Sequence, residues 1–270
     1  MQQHENLGGM SSDNKLLAAL PEHDWHRLQQ HLSPLDLPAG KTLCEPHSRM
    51  QYAYFPTSAI ISLLHVGTDG ASTEIAMIGS EGLVGVTLVM GGATTTSRVM
   101  VQSKGRIYRL RCEVLADEFG RGGALQQLLL RFTNALLTQI SQAAVCNRRH
   151  SIDQQLCRWL LLSLDRLGSD ELTMTHEVLA NTLGVRREGI TEAARKLHNA
   201  GLINYRRGRI TVIDRLGVEA YCCECYSVVR GEYDRLPGRY AYSLHGAERA
   251  AIDRAALANS ITRTDRSLAV

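Results

Sequence analysis

Apolar residues along the chain change their spacing several times, and each change predicts a different kind of element. Over residues 15–32, Leu16, Leu17, Leu20, Trp25 and Leu28 fall on one helical face, and Pro34 and Pro38 end the pattern. From there to about Leu110 the runs shorten. Residues 51–55, 59–66, 73–78, 98–103 and 106–110 are alternating or β-rich, with glycines between them. Asp69-Gly70 between two of these runs predicts a hairpin. Many short strands with glycine turns predict a β-roll or barrel.

The texture changes again at Gly122. Leu125, Leu129, Phe132, Leu136, Ile140 and Ala143 recur at steps of three and four, which predicts a long helix with an apolar stripe. Leu128, Leu130 and Leu137 lie off the stripe, so the helix has more than one buried face. The pattern fits a core helix packed on the roll. It also fits a helix with one face on the roll and the other on its twin in a second subunit. The dimer-interface expectation is placed on the six stripe residues. A second helix follows over residues 152–167, and Gly168 ends it.

Beyond it lie two short helices joined by a glycine turn. Thr175 is a suitable cap for the first, which runs to Leu183 with Val178, Leu179 and Leu183 on one side. Glu177 suits its first turn, and Gly184 suits the turn that ends it. The second, residues 186–200, turns Ile190, Ala193, Ala194 and Leu197 inward. This is the helix-turn-helix pattern. Residues 202–213 then place two β-prone runs around an Arg-Gly pair, which predicts a hairpin with a basic tip, a wing.

Charge sharpens the picture. The 270-residue chain carries a formal net charge of only +3, so any nucleic-acid surface must be a local patch. Residues 186–209 hold seven basic side chains (186, 187, 195, 196, 206, 207, 209) against two acidic ones, Glu188 and Glu192, so the remainder is net negative. Arginines at a helix start oppose the macrodipole, which favours acids there. Arg186 and Arg187 therefore point to a task, and arginine is suited to bidentate contact with guanine in the major groove. The expected DNA-contacting set is Thr175, Arg186, Arg187, Glu188, Arg195, Arg206, Arg207 and Arg209.

The rest of the composition excludes more than it suggests. Residues 1–14 are polar, carry no secretory pattern and are expected to be a disordered leader. No apolar run reaches the roughly 18–20 residues a spanning helix needs. The expectation is no membrane partner and a cytoplasmic setting. The seven cysteines are an odd number in a long chain, against a disulfide framework. Cys146 and His150, four apart, could share a helix face and serve a soft metal or a haem, or be a buried thiol beside a surface histidine at the hinge. Cys222 and Cys225 share a face if residues 216–229 form one helix, and Cys223 lies between them. With no matching second pair, small core residues are the expectation, with no metal and no cofactor. No HExxH, G-x-S-x-G, P-loop or dinucleotide fingerprint is present, so no enzyme is expected.

Taken together the arrangement resembles the Crp/Fnr family of bacterial transcription regulators over residues 16–213. The most specific stretch runs from Leu172 through Thr175, Ala180, Gly184, Arg187 and Glu188 to Thr191, with Ala200-Gly201-Leu202-Ile203 leading into the wing. The resemblance implies an α+β chain with an N-terminal cyclic-nucleotide-binding-like β-roll, a long dimerisation helix and a C-terminal winged helix-turn-helix. It implies a homodimer on double-stranded DNA, with RNA polymerase a candidate partner. It also implies that Arg187 contacts guanine and that Glu188 contacts cytosine or orients the arginine. Arg186 stands where the family commonly has Ser or Thr, and Glu192 where a basic residue often follows. In the roll, Gly85-Val86 and Thr96-Ser97 occupy the places of the family's Gly-Glu and Arg-Ser/Thr pairs, so the carboxylate and the guanidinium for a cyclic nucleotide are missing. Only Cys44 precedes Cys112, against the N-terminal iron-sulfur cluster of other members.

The expected division is a leader (1–14), a roll sensor (15–121), a dimerisation helix and hinge (122–150), the winged helix-turn-helix (151–230) and a C-terminal extension (231–270). The expected function is a DNA-binding regulator whose effector is something other than cyclic AMP, or none. The competing reading is a ligand- or redox-sensing roll in which the helix-turn-helix serves assembly.

Overall fold

The computed structural model describes residues 13–236. It begins with two short helices, α1 (Lys15–Ala18) and α2 (Glu22–Gln29), where one was expected. The break is at Pro21, which has no N–H to continue a helix and instead stands at the start of α2. Asn14, assigned to the leader by sequence, belongs to the fold. It is fully buried, accepts from the Leu16 and Leu17 amides at 3.2 Å, and donates to the carbonyls of Pro56 at 2.8 Å and Gly82 at 3.0 Å. Residues 1–12 lie outside the described residues.

The roll follows: β1 (Ser33–Leu37), β2 (Thr42–Cys44), β3 (Tyr52–Pro56), β4 (Ile60–Val66), β5 (Ser72–Ile78), the short α3 (Val86–Val89), β6 (Arg98–Ser103) and β7 (Gly105–Arg111). They form two antiparallel sheets, ordered β1-β7-β3 and β2-β6-β4-β5. Sequence patterning found five of these strands. Prolines hide β1, whose Pro34 is tolerated because β1 is an edge strand bonded only to β7. Asp69-Gly70 does lie in the β4–β5 hairpin, with Gly70 at φ +83°. A further helix, α4 (Cys112–Gly120), packs Leu115 under the roll and leads into α5 (Ala124–Arg149).

The long helix requires a correction. Leu125, Leu129, Phe132 and Leu136, expected at a dimer interface, are buried in this chain's own core against the roll. The reason is the roll's open apolar face. Phe132 is 0% exposed and lies over Gly82, where even a Cβ would come within 2.5 Å of the ring. Ile140 and Ala143 are half-buried beside it. The outward face is instead Gln127, Leu130, Asn134, Leu137, Ser141, Ala144 and Arg148, all exposed and spaced three and four apart. Its two leucines are 55% and 53% exposed.

The C-terminal core is built around α6 (Ile152–Leu167). A Ser151/Gln154 capping box starts it, Gly168 ends it, and Leu156, Trp159, Leu160, Leu161 and Leu164 are buried along it. Around it stand β8 (Glu171–Thr173), α7 (His176–Leu183), α8 (Arg187–Asn199), β9 (Ile203–Arg206), β10 (Arg209–Val212), α9 (Arg215–Tyr221) and α10 (Cys225–Asp234).

The single helix expected over residues 216–229 is thus two. Cys222 adopts extended backbone, and the link to Glu224 turns α10 back onto α5. Tyr233 meets Phe132 with ring centroids 6.3 Å apart, and Leu236 is buried in the roll core. Residues 231–236 are therefore packed structure and not extension. The alanine-rich residues 246–260, expected as an accessory helix, lie outside the described residues.

One buried ion pair joins the two cores. Arg166 of α6 meets Glu81 of the roll at 2.7 Å, donates to Gln139 Oε1 of α5 at 2.7 Å, and lies 5.0 Å from the centre of the Tyr233 ring of α10.

Candidate nucleic-acid interface

The surface expected to meet DNA is assembled from three starts: of α7, of α8 and of the wing turn. Thr175 caps α7, its hydroxyl accepting from the Val178 amide at 3.3 Å. Leu179, Ala180 and Leu183 pack in one core with Ile190, Ala193, Ala194 and Leu197 of α8. Gly184 ends α7 in left-handed conformation at φ +66° and lets the chain turn into α8. Arg186 sits at the α8 N-cap with extended backbone and no side-chain cap bond. That geometry leaves Arg186, Arg187 and Glu188 exposed.

The wing is the β9–β10 hairpin, tightened by Arg207 at φ +53° and Gly208 at φ +76°. Two successive left-handed residues make the type I′ turn that matches strand twist. Arg206 and Arg209 face each other across it. Sequence patterning missed β8, which pairs with β10 and anchors the hairpin in a sheet ordered β8-β10-β9. The Met174 amide also donates to the Gly208 carbonyl at 2.7 Å.

A second group missed from sequence binds the three starts together. The His176 and Tyr205 rings stack with centroids 4.1 Å apart, and His176 Nδ1 lies 3.1 Å from Thr191 Oγ1. Partial burial, and then the charge of Arg187, hold the His176 pKa below its ordinary value. The three residues are far apart in sequence and offer no local signal.

All eight expected DNA-contacting residues are exposed on this surface. Arg187 lies 3.8 Å from Glu177, Arg195 2.8 Å from Glu192, and Arg209 3.4 Å from Glu171. Such exposed pairs are worth about 0–1 kcal/mol and yield readily to a phosphate. Arg186, Arg206 and Arg207 make no ion pair among the described residues.

The roll's pocket differs in kind. A cavity of about 200 Å³ is lined by Gly85-Val86 and Thr96-Ser97, the two places singled out by sequence, and is closed by Thr133 and Leu136 of α5. No carboxylate or guanidinium lines it. Arg98, next to Ser97 in sequence, is engaged by Glu45 at 2.9 Å and is not among the lining residues.

The cysteines also regroup. Cys222 and Cys225 do not share a helix face. Cys223 in the α9–α10 link and Cys225 at the first position of α10 come instead to Cys146 and His150 at the end of α5.

Comparison with known proteins agrees with this architecture. A family model for the Crp-like helix-turn-helix domain matches residues 154–221. No curated protein matches the chain. FixK2 from Bradyrhizobium japonicum is similar in fold, with a TM-score of 0.62 at 14% identity, covering 71% of this chain and 98% of its own. A transcriptional regulator of the CRP family from Thermus thermophilus gives 0.58 at 14% identity, covering 69% and 95%. The c-di-GMP-responsive global regulator CLP from Xanthomonas campestris gives 0.52 at 17% identity, covering 71% and 99%. At these identities the likeness is one of fold. Among the described residues no helix is long and apolar enough to cross a membrane.

Proposed function

We propose that this chain, a member of the Crp/Fnr family of DNA-binding transcription regulators, works in the cytoplasm as a homodimer that reads a roughly palindromic site with α8 and grips the flanking backbone with its wing. The observation that carries the reading is the exposed cationic surface formed by the α8 start and the β9–β10 turn. In the helix-turn-helix motif the N-terminal residues of the second helix contact base edges. Arg187 is assigned to guanine, and Glu188 to cytosine or to orienting that arginine. Thr175, Arg186, Arg195, Arg206, Arg207 and Arg209 are assigned to the sugar-phosphate backbone. An assembly role for the helix-turn-helix has no use for so many cations on one surface.

Dimerisation is assigned to the outward face of α5, through Leu130 and Leu137, with the small Ser141 and Ala144 allowing close approach. Two-fold symmetry then sets half-sites about one helical turn, ~34 Å, apart. The effector is something other than cyclic AMP, or none, and RNA polymerase is the candidate protein partner. The test is the Leu130→Glu/Leu137→Glu variant. Both positions are exposed, so the fold should persist by circular dichroism. Sedimentation should show monomers, and binding to a duplex selected from a random library should weaken at least tenfold. A variant that still sediments as a dimer removes this face from the interface.

A further inference from the structure

Four soft-ligand side chains meet where α5 ends and the α9–α10 link passes. Cys146 lies in the last turn of α5 and His150 stands at its C-cap, while Cys223 and Cys225 flank Glu224. Cys146 Sγ is 3.6 Å from Cys223 Sγ, and Cys225 Sγ is 3.6 Å from His150 Nδ1. All four ligand atoms lie within 4.8 Å of one another.

The two 3.6 Å separations match those within one coordination sphere, and the remaining ligand atoms lie within 4.8 Å. A tetrahedral ion with metal–sulfur bonds of about 2.3 Å and metal–nitrogen bonds of about 2.0–2.1 Å places its sulfurs about 3.8 Å apart and sulfur and nitrogen about 3.6 Å apart. A disulfide would need sulfurs about 2.05 Å apart, and the cysteines are free thiols. An iron-sulfur cluster spreads its thiolates over several irons and needs a wider set. The three thiols are buried, and His150 keeps only 15% of its side chain exposed, so water is held off as in a closed structural site.

The surroundings are those of a metal site as well. Glu224 Oε1 lies 3.4 Å from His150 Nε2, so the carboxylate can hold that ring nitrogen and leave Nδ1 for a metal. Arg158 of α6 is buried, its Nε has no hydrogen-bond partner among the described residues, and its charge reaches Cys146. Three thiolates around a divalent ion leave one net negative charge, which Arg158 offsets.

We propose that Cys146, His150, Cys223 and Cys225 bind one Zn²⁺ ion in tetrahedral Cys₃His coordination. The ion fastens the α9–α10 link to the hinge between α5 and α6, where the roll's long helix hands over to the DNA-binding domain. This assignment stands independently of the DNA-binding reading.

The test uses the full chain, purified under reducing conditions, stripped with a chelator and titrated with Co²⁺ and then Zn²⁺. One Co²⁺ per chain should bind with the intense visible bands of a tetrahedral site and near-ultraviolet sulfur-to-cobalt charge transfer, and Zn²⁺ should displace it. Cys146→Ser and Cys223→Ser should each lower Zn²⁺ affinity at least about a hundredfold, and Glu224→Gln about tenfold. Cys157→Ser and Cys222→Ser, outside the set, should keep one ion per chain. The proposal is overturned if the stripped wild-type chain takes up no Co²⁺ with thiolate charge transfer. It is equally overturned if the Cys146→Ser/Cys223→Ser variant keeps the spectrum, or if the isolated protein carries a Cys146–Cys223 disulfide. The wild-type titration decides the matter even where a variant misfolds.

Discussion

The roll pocket and the winged-helix surface both present a helix start beside a turn, yet they differ completely in charge. The pocket offers backbone, apolar side chains and the hydroxyls of Thr87, Thr95, Thr96, Ser97 and Thr133. The winged-helix surface offers six exposed arginines, at 186, 187, 195, 206, 207 and 209. A cyclic nucleotide and a DNA backbone are both phosphate anions, and only one of these regions is equipped to hold one. The means of recognising phosphate are concentrated at the C-terminal end. A molecule in the roll pocket would meet hydroxyls and apolar groups, with no charged side chain among the lining residues.

The largest expected effect comes from cutting the connection between the two cores. Arg166 and Glu81 are both nearly inaccessible, with side chains 4% and 9% exposed, and they hold the DNA-binding core to the roll. Arg166→Met leaves Glu81 as an uncompensated buried carboxylate and should cost ~3–5 kcal/mol in urea unfolding. Replacing both, Arg166→Met/Glu81→Met, should recover much of that loss, because two desolvated charges are removed together. Equal losses in the single and double variants would show that the pair is not what couples the regions.

The pocket itself gives the next effect. Where a guanidinium would meet a cyclic phosphate, Thr96 offers a neutral hydroxyl. Lacking a charge-assisted pair costs on the order of a few kcal/mol, or several hundredfold in affinity. Calorimetry with cyclic AMP should therefore show no micromolar binding, and Thr96→Arg should restore part of the deficit. Micromolar binding by the wild-type chain would erase the contrast between the two regions. It would also mean that Arg98 had left Glu45 and turned inward.

These two regions were not equally legible in the sequence, and the reason is the range of the interactions. The winged helix is written in local signals: a Thr175 cap, a Gly184 turn, an Arg207-Gly208 hairpin tip. The direction of α5 is not. A stripe at steps of three and four looks the same whether it meets the same chain or a second one. What decides is distant, namely the roll's apolar face and the absence of a side chain at Gly82 beneath Phe132. The same holds for the thiols. Cys146 and Cys223 are 77 residues apart, and spacing alone grouped Cys222 with Cys225 because it presumed one unbroken helix. The gap opened by Cys222's extended backbone is what turns Cys223 and Cys225 toward α5.

The smallest effects would sharpen the contrast within the DNA surface itself, between Arg187 and the wing arginines. Arg187 stands in the first turn of α8, the part of the motif that enters the major groove. A bidentate arginine–guanine pair contributes ~1–3 kcal/mol of discrimination. Arg187→Ala should therefore weaken binding to a selected duplex by that amount and change binding to random duplex little. Arg207 stands on the turn, with no ion pair among the described residues to release first. A phosphate contact there is blind to sequence but displaces counterions, so Arg207→Ala should weaken selected and random duplexes alike and reduce the salt slope by ~1. Fluorescence anisotropy with both duplexes at two salt concentrations separates the roles. Arg187 would lose its assignment to bases if its variant shifted both duplexes equally. The wing would lose its assignment to phosphate if Arg207→Ala changed sequence preference and left the salt slope untouched.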